Sequence, residues 1–282
     1  MMHIVDMTSS APTVTHVIHG GAPVAAVTSL GDEVFVMRSE SRPKVKVYSA
    51  VTFTLHRHLP VGRLGRSFGL AACASNKCLY ASDFFHDRVY KMNLPGKNAG
   101  RNAVTWWSVG RRPVGLTVNS DKNVLVVIQD ERKLQQFTTH GSLLRTIQLQ
   151  PDIESPMQVI QLSSGQFVIS HVGTQDRLCL VDGKGAVVRS FRGTPGSDLT
   201  EMNEPVGLAV DEHGNILVAD ELNNRLLVLD PTLTSAREMS VSVDGGLDGP
   251  YSLWCDKTRG RLYLGEWWGS RVIIADIWWQ QF

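Results

Sequence analysis

A pattern of short apolar strands recurs along the chain at intervals of 43 to 49 residues. Its most regular copy runs from Glu204 to Asp230 and reads EPVGLAVDEHGNILVADELNNRLLVLD. A period in the forties, built of short alternating strands, is typical of a β-propeller in which each repeat forms one blade. Five of the six residues that open the copies are proline; the six are Pro23, Ser67, Pro113, Pro156, Pro205 and Pro250.

Each copy has the same internal order of elements. In the copy at Glu204 an apolar strand, Gly207–Val210, leads through the turn Asp211–Gly214 into a second strand, Ile216–Ala219. A polar loop then precedes a third strand, Arg225–Leu229, and most copies end in a weaker fourth strand. Four antiparallel strands make one propeller blade. The sequence therefore predicts an all-β fold: a single domain over residues 1–282, forming a six-bladed β-propeller of four-stranded antiparallel blades.

The sixth copy lacks a clear fourth strand, and the N-terminal part of the chain offers a replacement. Thr13–His19 leads into Pro23 in the same way that Ala103–Val109 leads into Pro113. We therefore expect the N-terminal strand, residues 13–19, to complete the sixth blade and close the ring without a long open edge. The competing interpretation is that Trp278–Phe282 forms this strand.

The composition indicates a chain without membrane spans that works in a reducing compartment, and we expect a cytoplasmic location. No run of residues is long and apolar enough to cross a membrane. Four cysteines are few for 282 residues. Cys73 and Cys78 flank a tight turn in the second copy, and opposed residues of a hairpin lie within disulfide reach. The sequence allows either a disulfide between these two residues or two reduced thiols, and the composition favours the thiols.

Three features of the repeat resemble those of a known repeat family. They are a P-x-G-L opening, an apolar strand that ends in Asp, and an Asn-Arg step into the next strand, best seen in Pro205–Leu208, Val218–Asp220 and Asn224-Arg225. Together they resemble the NHL repeat family, including the stand-alone NHL-repeat proteins of invertebrates and the NHL domains of tripartite-motif (TRIM) proteins. Arg38 and Glu266 depart from the pattern, since they stand where Asp is expected. The resemblance implies a six-bladed propeller that serves as a binding platform, often for single-stranded RNA or protein.

Function is expected on one face of the ring, here called the top face. It carries the loops between the second and third strands of each blade and the connections between blades, where propeller ligands usually bind. Residues 1–145 carry 18 basic and 9 acidic residues, whereas residues 146–282 carry 10 and 18. This asymmetry predicts a basic crescent on the top face that contains the expected ligand-binding residues Arg38, Arg42, Lys44, Arg63, Arg66, Phe68, Phe84, Phe85, Arg111 and Arg112. The opposite, acidic side is expected to bind a partner through Tyr251, Trp267 and Trp268.

Two kinds of macromolecular partner fit this face. Basic side chains interleaved with aromatic rings suit single-stranded RNA, with charge following the phosphates and rings stacking on bases. A face that is basic on one side and acidic on the other also suits a protein partner or weak self-association of an otherwise monomeric chain. Tyr and Trp are residue types that anchor protein interfaces. We expect a non-catalytic binding platform whose partner is either single-stranded RNA or a protein.

Enzymatic function is the alternative. Metal-dependent lactonases and lyases with six-bladed propellers need Asp, Glu, Asn or His at the channel mouth to hold a cation and activate water. Here the inner strands open with Ala25, Gly69, Gly115, Gln158, Gly207 and Ser252, none of which is acidic or histidine. We therefore expect no catalytic residue, no metal and no cofactor. A metal-dependent lactonase or lyase and a carbohydrate-binding propeller stay open as alternatives.

Overall fold

The structure is a computed structural model that describes residues 11–41, 43–94, 104–192 and 201–277. Within these residues the chain forms six four-stranded antiparallel sheets arranged as a β-propeller, as the repeat predicts. In the described part of the chain, no helix has the length and apolar character needed to cross a bilayer.

The strands are numbered in chain order from β1 (Thr13–Ile18). Blade 1 contains β2 (Val24–Leu30), β3 (Glu33–Arg38), β4 (Val45–Ser49) and β5 (Leu55–Leu59). Blade 2 contains β6 (Leu70–Cys73), β7 (Cys78–Asp83), β8 (Arg88–Asn93) and β9 (Val104–Ser108). Blade 3 contains β10 (Pro113–Val118), β11 (Val124–Ile128), β12 (Lys133–Phe137) and β13 (Leu143–Gln148).

Blade 4 contains β14 (Ser155–Gln161), β15 (Phe167–Val172), β16 (Arg177–Val181) and β17 (Val187–Phe191). Blade 5 contains β18 (Pro205–Val210), β19 (Ile216–Asp220), β20 (Arg225–Leu229) and β21 (Ala236–Met239), with a short 3-10 helix, Glu221–Asn223, between β19 and β20. Blade 6 contains β22 (Pro250–Asp256), β23 (Arg261–Glu266) and β24 (Val272–Asp276), and its outer strand is β1.

The ring is closed by the N-terminal strand, which confirms the prediction for residues 13–19. β1 pairs antiparallel with β24, so that Thr13 lies opposite Asp276 and Ile18 lies opposite Val272. Strands from the two ends of the chain therefore share one sheet. The competing strand at Trp278–Phe282 lies outside the described residues.

The core lies between the blades. Alternate residues of one strand point to opposite faces of its sheet. In β3, Phe35 and Met37 pack in the cluster shared with blade 2, whereas Val34 and Val36 pack in the cluster shared with blade 6. Comparable apolar clusters fill the other four blade interfaces. Both faces of each blade are therefore buried, which explains the nearly continuous apolar runs of its middle strands.

The glycine in the repeat opening allows neighbouring inner strands to approach closely around the central channel. A Cβ atom on Gly69 would lie 2.7 Å from the carbonyl oxygen of Val114 in the next blade. A Cβ atom on Gly207 would overlap the carbonyl oxygen of Tyr251 in the same way. Since these neighbours are backbone atoms, they have little freedom to move. The P-x-G opening thus reflects packing of backbone against backbone.

The two cysteines of the second copy lie as the sequence predicts. Cys73 and Cys78 are directly opposite each other at the end of the first hairpin of blade 2. Both are buried, and both thiols are free. Burial also raises the pKa of the Cys78 thiol, which lowers its reactivity.

We predict that Gly207→Ala lowers the free energy of unfolding by about 1–3 kcal/mol, because the added methyl group forces two inner strands apart. Gly21→Ala is the matched control. No atom lies within 4 Å of a Cβ built there, so its effect should stay within about 0.5 kcal/mol. Urea unfolding of the two variants and the wild type measures the difference. Equal stability of Gly207→Ala and wild type would show that the inner strands tolerate the wider spacing.

Candidate functional site

The six inner strands surround a central cavity of about 630 Å³. Tyr251 lines its upper end, while polar residues of the lower turns, including Asn119 and His213, line its lower end. In the described part of the chain, no three His, Cys, Asp or Glu residues are grouped so as to hold a metal ion. The residues that the sequence placed at the inner-strand openings all contribute to the cavity wall: Ala25, Gly69, Gly115, Gln158, Gly207 and Ser252.

A buried acidic residue ends the second strand of blades 2, 5 and 6. Each is fully buried and accepts a hydrogen bond from a backbone N–H in the connection that leads into its own blade. This position, here called the clamp position, therefore ties the connection to the blade and serves the fold. The three bonds run from Gly65 to Asp83 (2.9 Å), from Asn203 to Asp220 (2.8 Å) and from Asp248 to Glu266 (2.9 Å).

Arg38 occupies the clamp position of blade 1, and the structure corrects its expected role in the basic crescent. Its side chain is buried, with 1% of the residue exposed. The guanidinium donates to the carbonyl oxygens of Ala22 (2.7 Å) and Ser270 (2.8 Å). Because the clamp position is internal, a charge placed there cannot reach a ligand on the surface.

His171 occupies the clamp position of blade 4 and also serves the fold. Its Nε2 atom accepts a hydrogen bond of 2.7 Å from the backbone N–H of Glu154. Burial lowers the pKa of the imidazole, which favours the neutral form that such a bond requires. The histidine therefore stabilises a connection, as the acidic residues do in other blades.

The remaining basic residues of the crescent are exposed on the top face, apart from Arg42, which lies outside the described residues. Arg112 pairs with Asp130 at 3.2 Å. No ion pair to the other four is present among the described residues. These four exposed cations are Lys44, Arg63, Arg66 and Arg111.

The aromatic residues that the sequence assigned to two sides of the top face form one connected group. Phe68 of blade 2 stacks with Trp267 of blade 6 at a centroid separation of 6.3 Å. Phe68 also meets Phe84 edge to face at 5.3 Å, and Phe84 meets Phe85 at 5.4 Å. Tyr251 lies 4.7 Å from Trp267. We call these five residues the rim cluster, since they lie at the upper mouth of the channel.

Two arginines of the basic crescent lie on the rim cluster. The guanidinium carbon of Arg66 is 4.8 Å from the centroid of Phe68 and 5.8 Å from that of Trp267. The guanidinium of Arg112 lies 5.3 Å from the centroid of Phe84. At these separations each cation is attracted to the electron-rich ring face. The arginines therefore cover part of the aromatic surface that they were expected to flank.

Exposure distinguishes the rings that can meet a ligand. Phe85 is 65% exposed, and Trp268, next to the rim cluster, is 60% exposed. Phe68 and Phe84 are half-buried and pack against the core between blades 3 and 4. Tyr251 is buried and belongs to the channel wall rather than to the outer surface.

The structure adds Glu221, which was not predicted from the sequence. It belongs to the 3-10 helix after β19 and is 4% exposed. Burial, together with the nearby carboxylate of Glu204, raises its pKa from 4.5 to about 7, while a side-chain hydrogen bond with Trp268 opposes this shift. Tyr251, which lines the channel, also interacts electrostatically with both carboxylates.

A signal for Glu221 was available in the repeat. It directly follows Asp220, just as Phe84 follows Asp83 and Trp267 follows Glu266. The residue after each of these clamp positions contacts the group at the channel mouth. Comparing the copies position by position would have placed Glu221 beside the aromatic rings.

We predict that Glu221→Gln changes how stability depends on pH. Because folding raises the pKa of Glu221, its stabilising contribution is fully present below pH 4.5 and is lost as pH rises to about 7. The glutamine variant should therefore lose less free energy of unfolding than the wild type between pH 5 and pH 8, by about 2 kcal/mol. Urea unfolding at both pH values measures this. Glu238→Gln, on an exposed outer-strand position, should match wild type, and identical profiles for all three proteins would contradict the prediction.

Comparison with known proteins supports the fold and the repeat. The NHL repeat pattern matches residues 202–229. No curated protein sequence matches the chain significantly. Among solved structures, hydrazine synthase from Kuenenia stuttgartiensis is 14% identical with a TM-score of 0.66, covering 91% of this chain and 96% of that chain.

Two further structures share the propeller architecture. A catalytically inactive virginiamycin B lyase from Staphylococcus aureus, bound to quinupristin, is 11% identical with a TM-score of 0.65, covering 92% of this chain and 82% of that chain. A protein of unknown function from Bacteroides caccae is 16% identical with a TM-score of 0.60, covering 90% of this chain and 82% of that chain. At these identities the likeness concerns the fold alone. The matched repeat and the six four-stranded blades together support placing this chain among the NHL-repeat β-propellers.

Proposed function

We propose that this propeller is a non-catalytic binding platform whose top face takes a protein partner. The observation that carries the proposal is the continuity of the aromatic surface at the upper channel mouth. Rings from blades 2 and 6 are in contact through Phe68 and Trp267. This surface continues to two strongly exposed side chains, Phe85 and Trp268. Exposed aromatic residues on a rigid support are frequent anchors of protein interfaces.

Trp268 is held in place before any partner binds. Its indole ring lies directly against Gly249, where an added Cβ atom would overlap the ring. Its side chain also interacts with the carboxyl of Glu221 and lowers the pKa of that group, opposing the effect of burial. An anchor that is already ordered loses little conformational entropy on binding, which supports a role in recognition.

The charges around the aromatic surface suit a partner that carries both signs. Arg63 and Arg111 are exposed on the side of blades 2 and 3, and they make no ion pair among the described residues. Asp244 and Asp248 are exposed on the side of blades 5 and 6. Complementary charges of this kind orient a partner and favour one register of binding. A second copy of this chain in antiparallel orientation is one such partner.

Single-stranded RNA is the second candidate, and the unpaired arginines of the crescent favour it. Bases bind to such surfaces by stacking on free ring faces. Arg66 and Arg112 already lie over Phe68 and Phe84, which leaves Phe85 as the freely accessible ring on the basic side. Protein is therefore the better supported partner. A metal-dependent hydrolase or lyase function has no metal-binding group among the described residues to support it.

The four free cysteines support the proposal that the protein works in a reducing compartment such as the cytoplasm. All four are buried and none is in a disulfide. In an oxidising compartment, the directly opposed Cys73 and Cys78 would be expected to form a bridge.

We predict that Phe85→Ala combined with Trp268→Ala reduces capture of the protein partner at least about tenfold, as expected when interface anchors are lost. Immobilised wild-type and variant proteins are exposed to an extract of the cells that the protein comes from, and retained proteins are quantified by mass spectrometry. Leu144→Ala is the matched control. Leu144 is a 51% exposed apolar residue on β13, away from the top face, so its loss should leave capture unchanged.

The same experiment separates protein from RNA as the partner. A protein partner is retained after ribonuclease treatment and is lost only with the double variant. If ribonuclease abolishes capture, and Arg111→Glu with Arg112→Glu and higher salt do so as well, single-stranded RNA replaces protein as the ligand. If the double variant captures the same proteins as wild type, the top face is not the binding surface.

A further inference from the structure

Among the described residues, three large apolar side chains are strongly exposed on the top face, and they occupy equivalent places in their blades. Phe85, Leu222 and Trp268 each stand two residues after a buried acidic clamp position. Leu222, which completes the set, is 43% exposed. The N–H of Phe85 donates to the carboxylate of Asp83, and the N–H of Leu222 donates to the carbonyl oxygen of Asn203. Apolar side chains held on ordered loops are suited to burial against another molecule.

The connections between blades carry exposed charges of opposite sign on opposite sides of the ring. Arg63 precedes blade 2 and Arg111 precedes blade 3, whereas Glu201 precedes blade 5 and Asp244 precedes blade 6. All four residues are exposed. Glu201 contacts Arg192 at 3.3 Å, yet its side chain stays 75% exposed. Since the blades follow one another around the ring in chain order, the two arginines lie across the channel from the two acids.

A second copy of the chain, placed face to face with the first, can meet all of these groups at once. In such a pair the two-fold axis lies in the plane of contact, and each contact occurs twice. One axis runs through the connection between blades 6 and 1 and the connection between blades 3 and 4. Blade 2 of each copy then lies over blade 5 of the other, because the blades follow in chain order. With this axis Arg63 faces Asp244 of the second copy, and Arg111 faces Glu201.

The axis crosses the ring where charges are already balanced. The connection between blades 3 and 4 meets its own counterpart in the pair, and it carries the exposed acids Asp152 and Glu154. Asp152 is paired with Arg177 at 2.6 Å. The exposed Arg132 donates to the carbonyl oxygen of Pro151 in the same connection at 3.0 Å. Two cations therefore accompany the two acids, and this part of the face does not oppose the pairing.

We infer that the protein pairs with a second copy of itself through the top face, in this face-to-face arrangement. This rests on the proposed function, since it names the protein that the top face takes. In the pair Phe85 of each copy lies over blade 5 of the other, which presents Leu222. Trp268 lies over blade 1, whose upper loop presents the exposed Lys44. The opposed charges favour this register over registers that bring like charges together.

The test is sedimentation velocity of the full chain over a range of concentrations at low salt. Wild type should change from monomer to dimer as its concentration rises, and added salt should reduce the dimer. Two variants each reverse the charges on one side: Arg63→Glu with Arg111→Glu, and Glu201→Lys with Asp244→Lys. Each variant alone should dimerise at least about tenfold more weakly, because every reversed charge then faces a like charge.

A mixture of the two variants protects the test against misfolding. In the mixed pair each reversed arginine faces a native acid position that now carries lysine, and each native arginine is replaced in the same complementary way across the axis. A heterodimer should therefore form although neither variant dimerises alone, which a misfolded chain cannot do. As a control, Arg189→Glu with Glu238→Lys changes exposed residues of two outer strands and should dimerise as wild type does.

Three results would overturn the inference: a wild type that stays monomeric at every concentration, single variants that dimerise as wild type does, or a mixture that stays monomeric. The capture experiment with Phe85→Ala and Trp268→Ala then still decides the proposed function. Loss of capture without a dimer leaves a different protein as the partner of the top face. If that double variant changes neither capture nor dimer formation, the proposed function fails as well.

Discussion

The packing of each blade against both of its neighbours is the interaction on which the rest of this structure depends. Side chains of β3 alternate between the core shared with blade 2 and the core shared with blade 6. A blade is thus stable only between two others, and the ring must close. The pairing of β1 with β24 provides that closure. Because the scaffold is closed, its upper loops are held at defined positions around one channel.

Within this scaffold, adjacent residues of the repeat have different tasks. The clamp position is buried, and in every blade except blade 3 it ties the connection to its blade, whether it holds Asp83, Arg38 or His171. The next residue lies at the channel mouth, where Phe84 and Glu221 bring different chemistry. Variation at the clamp position changes how the fold is held together. Variation at the residue that follows it changes what the top face can bind.

The fold could be predicted from the sequence, whereas the site could be predicted only in part. Strand order, blade number and the closing strand all follow from a repeat whose copies report the same local structure. Arg38 was misjudged because the sequence shows its charge and not its burial. The division into a basic and an acidic side was too sharp because Phe68 and Trp267, far apart in the chain, meet across the channel mouth. In the sequence, nothing distinguishes Glu221 from an exposed acidic residue.

The sequence by itself determined the propeller, because apolar alternation and turn residues act locally and recur six times. It also determined which loops lie on the top face, since antiparallel strands alternate direction along the chain. Only the tertiary structure decided which of these residues are in contact, which are buried and which carboxyl group has a pKa near 7. Those properties depend on neighbours contributed by other blades, as Tyr251 of blade 6 is for Glu221 of blade 5. The desolvation that raises the pKa of Glu221 exists only once the ring is closed and packed.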